Sequence, residues 1–376
     1  MDKKIVIIGA GAAGIGMGIT LTELGVRDFV ILDKDEVGNS FKNWPQETRF
    51  ITPSFTSNGF GMSDLNAISV DTSPAFTLGK ERLSGKDYAK YLDLAAKEYQ
   101  LPVFTNRKVQ KIAKKKNGYL LETIQEEIFT EYLIFAMGEY SFPNKSWIAG
   151  GKEHGIHYGE VDSWRQFSGD QQTIIGGNES GIDAALNLAE LGKKVTLYTN
   201  TTGLTAKKAD PSIRLSPFTR QKFFDFKTNQ AVKGEIQIYQ DISIKEISRK
   251  AKKYNLITTD GHTLQVENQP ILCTGFTNGA QILAPDLFLY QADEAQLNDF
   301  DESIISPNVF LIGPSVRNQG VVFCYIYKFR QRFAMIAEEI AKRSNDLSIN
   351  QQRLSYYKDE SFYLDDCQNC EVNCEC

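Results

Sequence analysis

The 376-residue chain predicts an α/β fold built from two doubly wound βαβ units. Three observations predict it. A shift of 167 residues, from Gly9 to Gly176, lays Ile7-Ile8-Gly9, Gly14-Ile15, Leu21 and Glu23-Leu24-Gly25 on Ile174-Ile175-Gly176, Gly181-Ile182, Leu188 and Glu190-Leu191-Gly192 without a gap. In both copies an apolar run ends in a glycine-rich turn. In both, a helical pattern closed by glycine leads into a second apolar run. A period this long belongs to two domains of like architecture rather than to a solenoid. Each copy is a βαβ unit whose crossover is expected to be right-handed.

Taken in order, the first copy predicts a strand at 5–8, a helix at 12–24 and a strand at 29–32. Ser84-Gly85-Lys86-Asp87 reads as an N-cap before a helix to about residue 99. Asn117-Gly118 and Asp260-Gly261 signal hairpins between β-rich runs. The Lys-rich stretch 107–116 falls on the first hairpin as a solvated face. The second copy predicts a strand at 173–175, a helix at 179–191 and a strand at 195–198. Further strands are expected at 132–135, 270–273 and 309–312, then a long final helix from about Gly320 to Lys342 and a polar linker and amphipathic stretch over 344–363.

Composition excludes several classes. Hydrophobic residues at 41% and charged residues at 24% are a globular balance, not a disordered, collagenous or coiled-coil one. The net charge of −5 gives no basic footprint for nucleic acid. No apolar run reaches the roughly 18 residues of a membrane span. Because Met1–Gly9 enters a strand pattern at once, no signal peptide is expected and the protein is read as cytoplasmic.

Gly9-Ala10-Gly11-Ala12-Ala13-Gly14 is a G-x-G-x-x-G turn that follows a strand, opens a helix and is answered by Asp33 at the end of the second strand. That context specifies a dinucleotide site. Gly9 makes the tight turn, Gly11 lets a pyrophosphate approach, and Gly14 lets helix and strand pack closely. Asp33 is placed to accept hydrogen bonds from an adenosine ribose, and Lys34 follows it. The second turn is Gly176-Gly177-Asn178-Glu179-Ser180-Gly181. Asp33 lies 24 residues after Gly9, whereas the residue 24 after Gly176 is Asn200. A carboxylate there would repel a ribose 2′-phosphate, so its absence favours NADPH over NADH. Lys207, Lys208 and Arg214 lie downstream as cations for that phosphate. Two sites, one marked by an acid and one not, imply FAD plus NADPH.

On these residues the chain resembles two-dinucleotide-binding-domain flavoproteins, specifically the bacterial flavin-containing-monooxygenase-like and bacillithiol-disulfide-reductase-like group, over about residues 1–343. Val37-Gly38-Asn39-Ser40-Phe41 with Trp44-Pro45 is similar to the segment after the second FAD strand. Phe135-Ala136-Met137-Gly138-Glu139-Tyr140 and Leu272-Cys273-Thr274-Gly275-Phe276 are similar to the two returns between domains. Phe310-Leu311-Ile312-Gly313 and the helix after it are similar to the closing FAD elements, with Pro314 in place of the usual aspartate. The resemblance implies two Rossmann-like domains in three layers: a discontinuous FAD domain at 1–150 and 270–343, an inserted NADPH domain at 160–268, and a linker and tail at 344–376. It implies FAD contacts at Ser40, Phe41, Trp44, Gly138, Gly313, Gly320 and Val321, with the last helix aiming its N-terminus at the flavin.

For the acceptor of the electrons the first expectation is O2, in a flavin-containing-monooxygenase-like enzyme, with a disulfide reductase and a redox sensor as the alternatives. A monooxygenase passes them to O2 and a small substrate, and Asn58 stands at a place similar to the oxygen-site asparagine of that group. The signature F-x-G-x-x-x-H is not met, Gly155-Ile156-His157-Tyr158 standing there. A disulfide reductase needs a thiol near the flavin. Bacillithiol reductases carry it at the fifth place of the first glycine turn, which here is Ala13, leaving Cys324 as the substitute. The third reading is a flavin- or metal-binding redox sensor. Cys367, Cys370, Cys374 and Cys376 suit a soft ion such as zinc or copper, a redox arm, or an inert tail. Whether the chain forms a homodimer is left open.

Overall fold

The computed structural model describes residues 1–56, 62–201, 203–206, 214–228 and 234–365. They begin with β1 (Asp2–Ile8), α1 (Ala12–Glu23) and β2 (Phe29–Leu32), then α2 (Gly85–Glu98), β3 (Val103–Phe104), β4 (Val109–Lys115), β5 (Gly118–Thr123) and β6 (Glu127–Phe135). The chain continues into β7 (Ile156–His157), β8 (Gln171–Ile175), α3 (Glu179–Glu190), β9 (Lys194–Tyr198), α4 (Pro217–Thr228), β10 (Glu235–Tyr239), β11 (Ile244–Lys250), β12 (Lys253–Thr258), β13 (Thr263–Val266) and β14 (Ile271–Leu272). It returns through β15 (Val309–Leu311) to α5 (Phe333–Arg343) and α6 (Gln351–Asp359). Two compact units result. The first holds 1–42, 53–139 and the described residues from 278 on; the second holds 43–52 and 140–277.

In the first unit, β1 lies between β2 and β6, parallel to both, with Ile7 opposite Ile31 and Ile134. Covered on both faces, these strands are continuous apolar runs, Ile5–Ile8 and Phe29–Leu32 all being buried. β6 serves two partners along one edge. Its first half pairs antiparallel with β5, and its last residues, Leu133–Phe135, pair parallel with β15. Ser84 and Asp87 form a reciprocal capping box at the start of α2, as the sequence predicts.

The second unit carries a parallel sheet in the order β10-β9-β8-β14-β7. Trp164, Ile174, Ile182, Leu186, Val195, Leu197 and Ile271 form its main core. A smaller cluster of Ile175, Leu272, Ile247, Tyr254 and Leu256 joins this sheet to the antiparallel β11-β12-β13 layer. Helix, parallel sheet and second sheet are the three layers.

Several expectations need correction. No helix begins at Gly320. Gln319 and Gly320 both have positive φ, +49° and +80°, as the two-residue turn of a hairpin pairing Arg317–Asn318 with Val321–Val322. The helix starts at Ile326. Within 344–363 the amphipathic part is the helix α6, capped by Asn350, which buries Leu354 and Tyr357 and pairs Arg353 with Glu23 at 2.6 Å at the end of α1, so only the ends of the stretch are linker. Trp44 falls in the second unit, not the first. No helix of the described residues is long and apolar enough to cross a membrane.

Candidate functional site

The two glycine turns share one backbone. Gly9 has φ +111° and Gly176 +107°, values that leave no room for an L side chain. A Cβ on Gly9 would lie 2.5 Å from Ala136 O, and one on Gly176 2.2 Å from Cys273 O. A Cβ on Gly14 would lie 1.8 Å from Gly9 O, and one on Gly181 2.0 Å from Gly176 O. The helix start must therefore sit directly on the turn. Gly11 and Asn178 cap α1 and α3 in the same extended conformation, and neither helix has a side-chain capping bond. The space beside Gly11 is open to 4 Å. Uncapped N–H groups at Ala12 and Ala13 facing open space suit an anionic pyrophosphate.

What surrounds the first turn suits an adenosine diphosphate. Asp33 Oδ2 accepts from the Ala10 N–H at 2.7 Å and Oδ1 from the Asp35 N–H at 2.8 Å, and each oxygen keeps a lone pair for a ribose hydroxyl. Burial raises its pKa. The Gly38 N–H donates to Ala10 O at 2.9 Å, holding the Ser40–Phe41 turn of helix beside the loop. Phe41 packs on Tyr88 at 4.8 Å. Gly313 approaches the same helix start, since a Cβ there would lie 3.2 Å from that of Ala13. Lys34 is surface-exposed and pairs with Asp35 at 3.1 Å.

Sequence reasoning missed two places here. Arg107 was part of the solvated Lys-rich stretch. Its N–H in fact donates to Asp33 O at 2.7 Å, and its buried Nε has no hydrogen-bond partner. Glu139 directly follows Gly138, which has φ +61°, at the C-terminal end of β6. Burial raises its pKa, opposed by Arg317. A hydrogen bond from Ser315, four residues past β15, opposes it too. The C-terminal ends of parallel strands, where Arg107 Nε and Glu139 lie, are where such folds take ligands. No sequence signal marks Arg107, and Glu139 stands in a return motif that points to Gly138 instead.

The second turn is braced differently. Thr199 Oγ1 would lie 2.6 Å from a Cβ on Gly177, so only glycine fits that place. Asn200 is exposed. Glu179 Oε1 accepts from the Ser216 N–H, and Oε2 accepts from the Thr219 hydroxyl at 2.6 Å. Burial raises its pKa. Ser180 is half-buried on the same first turn. Arg214 is half-buried. Lys207, Lys208, Asn58 and the four tail cysteines lie outside the described residues.

Cys273 is not an evident thiolate. It occupies the place of Ala136. Its N–H donates to Ile175 O at 2.8 Å, as that of Ala136 does to Ile8 O at 2.8 Å. Burial, with Asp183 nearby, pushes its thiol far up. Cys324 precedes the final helical stretch instead of lying inside it. Gly320 and Val321, expected at a helix N-terminus, belong to the hairpin.

Trp44 joins an aromatic row in the second unit, with Tyr140 at 6.0 Å, which stacks on Phe276 at 5.0 Å. Its segment is clasped by Asp183, whose Oδ2 accepts from Thr48 Oγ1 at 2.9 Å and Tyr158 OH at 2.7 Å. His157 is fully buried. Its Nδ1 accepts from the Gly159 N–H at 3.1 Å, so the Nε2–H donates to Gly275 O at 2.9 Å. Burial lowers its pKa to about 4. It is a neutral strut of the second return, not a metal ligand. Among the described residues no cluster of metal-ligating side chains occurs.

A family model described as pyridine nucleotide-disulphide oxidoreductase matches residues 6–313. The bacilliredoxin reductase Bdr of Bacillus subtilis is 25% identical over 350 residues, covering 92% of this chain and 99% of the relative. The solved bacillithiol disulfide reductase Bdr of Bacillus cereus superposes with a TM-score of 0.73 at 22% identity, covering 92% of this chain and all of that one. A flavin-containing monooxygenase from Stenotrophomonas maltophilia follows at 0.67 and 16% identity, over 91% of this chain and 99% of that one.

Proposed function

The chain belongs to the pyridine nucleotide-disulphide oxidoreductase family, and from that premise we propose that it oxidises NADPH through bound FAD and reduces a disulfide. The observation that carries the cofactor assignment is the asymmetry of two otherwise equal turns: Asp33 folds back on the first, and exposed Asn200 takes its place on the second. When bound, FAD accepts a hydride from NADPH and hands two electrons on. The chain's part is binding and orientation. N–H groups of Ala12 and Ala13 receive the FAD pyrophosphate, and Asp33 receives the ribose. Gly176, Gly177, Asn178, Ser180 and Gly181 cradle the NADPH pyrophosphate, and Arg214 faces its 2′-phosphate.

Two observations support a disulfide as acceptor. The relatives named as disulfide or bacilliredoxin reductases match over nearly their whole length. The chain before the cysteine tail is fixed to the first unit: Arg332 Nη1 donates to Leu364 O at 2.8 Å and the Leu364 N–H to Gln331 O at 2.9 Å. Cys367 follows three residues later. Two electrons and two protons turn one disulfide into two thiols, and the Cys367–Cys370 and Cys374–Cys376 pairs offer dithiols for the relay. A monooxygenase is the second reading, favoured by Ala13 in the turn, where bacillithiol reductases carry a cysteine.

The test follows NADPH consumption with a low-molecular-weight aromatic disulfide, in argon and in air. Turnover in argon that falls at least about tenfold on truncation after Asp365 fits the proposal. Turnover that needs oxygen and ignores the disulfide supports the second reading.

A further inference from the structure

We propose that Glu179 is a positioning residue for coenzyme choice: its carboxylate braces the 214–219 segment so that Arg214 meets the 2′-phosphate of NADPH. The inference rests on the second turn being the NADPH site and adds how that site reads the phosphate.

By position Glu179 belongs to the glycine turn, being the first residue of α3. A carboxylate directed at a bound pyrophosphate would repel it. The structure directs it elsewhere, onto the Ser216 N–H and the Thr219 hydroxyl. Ser216 Oγ accepts in turn from the Thr219 N–H at 3.2 Å, an N-cap bond for α4. One carboxylate therefore ties the start of α4 to the start of α3, where both helix dipoles favour negative charge.

The neighbouring residue is tied on its other side. The Leu215 N–H donates to Gly203 O at 3.1 Å. Gly203 lies three residues beyond Asn200, the strand-end position that discriminates the ribose. Residues 215 and 216 are thus pinned between the end of β9 and the first turn of α3. Arg214 enters this pinned pair half-buried. Among the described residues it makes no ion pair, and the strand end at Asn200 lacks an acid. A planar fork of donors suits a phosphate, but it selects one only if its backbone is held. Glu179 supplies that hold from the far side of the segment, without touching the coenzyme.

The experiment measures the ratio of kcat/KM with NADPH to that with NADH in the full-length holoenzyme, for the wild type, Glu179→Ala, Glu179→Gln, Arg214→Ala and the Ala double variant. Flavin content and melting temperature are recorded for each. Glu179→Ala and Arg214→Ala should each lower the ratio about tenfold, the worth of one charge-assisted hydrogen bond, and the double variant no further. Glu179→Gln keeps an acceptor for the Ser216 N–H and should stay within about threefold of the wild type. If Glu179→Ala does not fold, Thr219→Val removes one of the two donors and should lower the same ratio. Equal losses with both coenzymes, or multiplying effects in the double variant, overturn the brace. A silent Glu179→Ala beside a responsive Arg214→Ala overturns the brace alone. A wild-type ratio near one with Arg214→Ala silent overturns the NADPH reading beneath it.

Discussion

Residues 9–14 and 176–181 trace nearly the same path, Gly9 and Gly176 differing by only a few degrees in φ. Each presses its first glycine on a return strand, at Ala136 in one and Cys273 in the other. Their braces have nothing in common. In the first, the acid of the second strand reaches back to the Ala10 N–H. In the second, Thr199 crowds Gly177, and the turn's own acid, Glu179, reaches away to Ser216 and Thr219. Backbone shape is set by a few glycines whose side chains have no room, whereas ligand choice is set by what the next strand and loop bring. One can drift while the other is held.

The sharpest way to break the parallel is to add the same methyl group to both copies. Gly14→Ala and Gly181→Ala face nearly equal clashes, 1.8 and 2.0 Å from a carbonyl oxygen. Each should cost its own unit about 3 kcal/mol or more, because backbone must move. The readouts should diverge. Gly14→Ala should lose bound flavin, whereas Gly181→Ala should stay yellow and lose reduction by NADPH. Absorption spectra and anaerobic reduction rates decide. A yellow Gly14→Ala protein, or a colourless Gly181→Ala one, would reverse the assignment of the two turns.

A middle-sized effect separates the two returns. Gly138 O accepts from the Gly279 N–H at 3.0 Å, whereas Gly275 O accepts from a histidine side chain and from the Asn144 N–H. His157 has a folded pKa of about 4 against an ordinary 6.5. Above pH 6.5 it is neutral in both folded and unfolded chains and its stabilisation is complete. Below that, the unfolded chain takes up the proton first, so stability falls as pH falls towards 4. At about 1.4 kcal/mol per pKa unit, the loss between pH 7 and 5 is about 2 kcal/mol. Urea midpoints at the two values should show it, and His157→Gln should flatten that part of the profile. An equally steep profile in the variant would remove His157 as its cause.

How much of this was legible follows from the same physics. The two βαβ units could be read because glycine spacing and buried apolar runs are local consequences of backbone geometry. The start of the last helix could not. Val321-Val322-Phe323 fits either period, and the hairpin that claims it depends on Gln319 accepting positive φ before Gly320. Trp44 was placed with its sequence neighbours, but Thr48 is held by Tyr158 and Asp183, more than a hundred residues away. Residues 344–365 are mostly polar in sequence, yet Leu354, Tyr357 and Phe362 are buried and Glu23 holds Arg353, contacts that no local pattern announces. Arg107 had no motif to mark it, and the return motif that contains Glu139 does not single that residue out. Burial alone singles them out.

The smallest expected effect tests whether the two copies are equivalent where their side chains differ. Cys273 and Ala136 make the same backbone bond and lie under the same glycine. The small side chain packs under Gly176 as Ala136 does under Gly9, and burial that raises the thiol pKa makes it a poor nucleophile. Cys273→Ala should lower stability by about 1 kcal/mol or less, the cost of one buried sulfur, and leave turnover with disulfide and NADPH within about twofold. A collapse of disulfide turnover with flavin reduction intact would instead make Cys273 the thiol that receives the electrons. The likeness of the two returns would then be a likeness of backbone only, with the reactive sulfur placed in the second unit rather than in the tail.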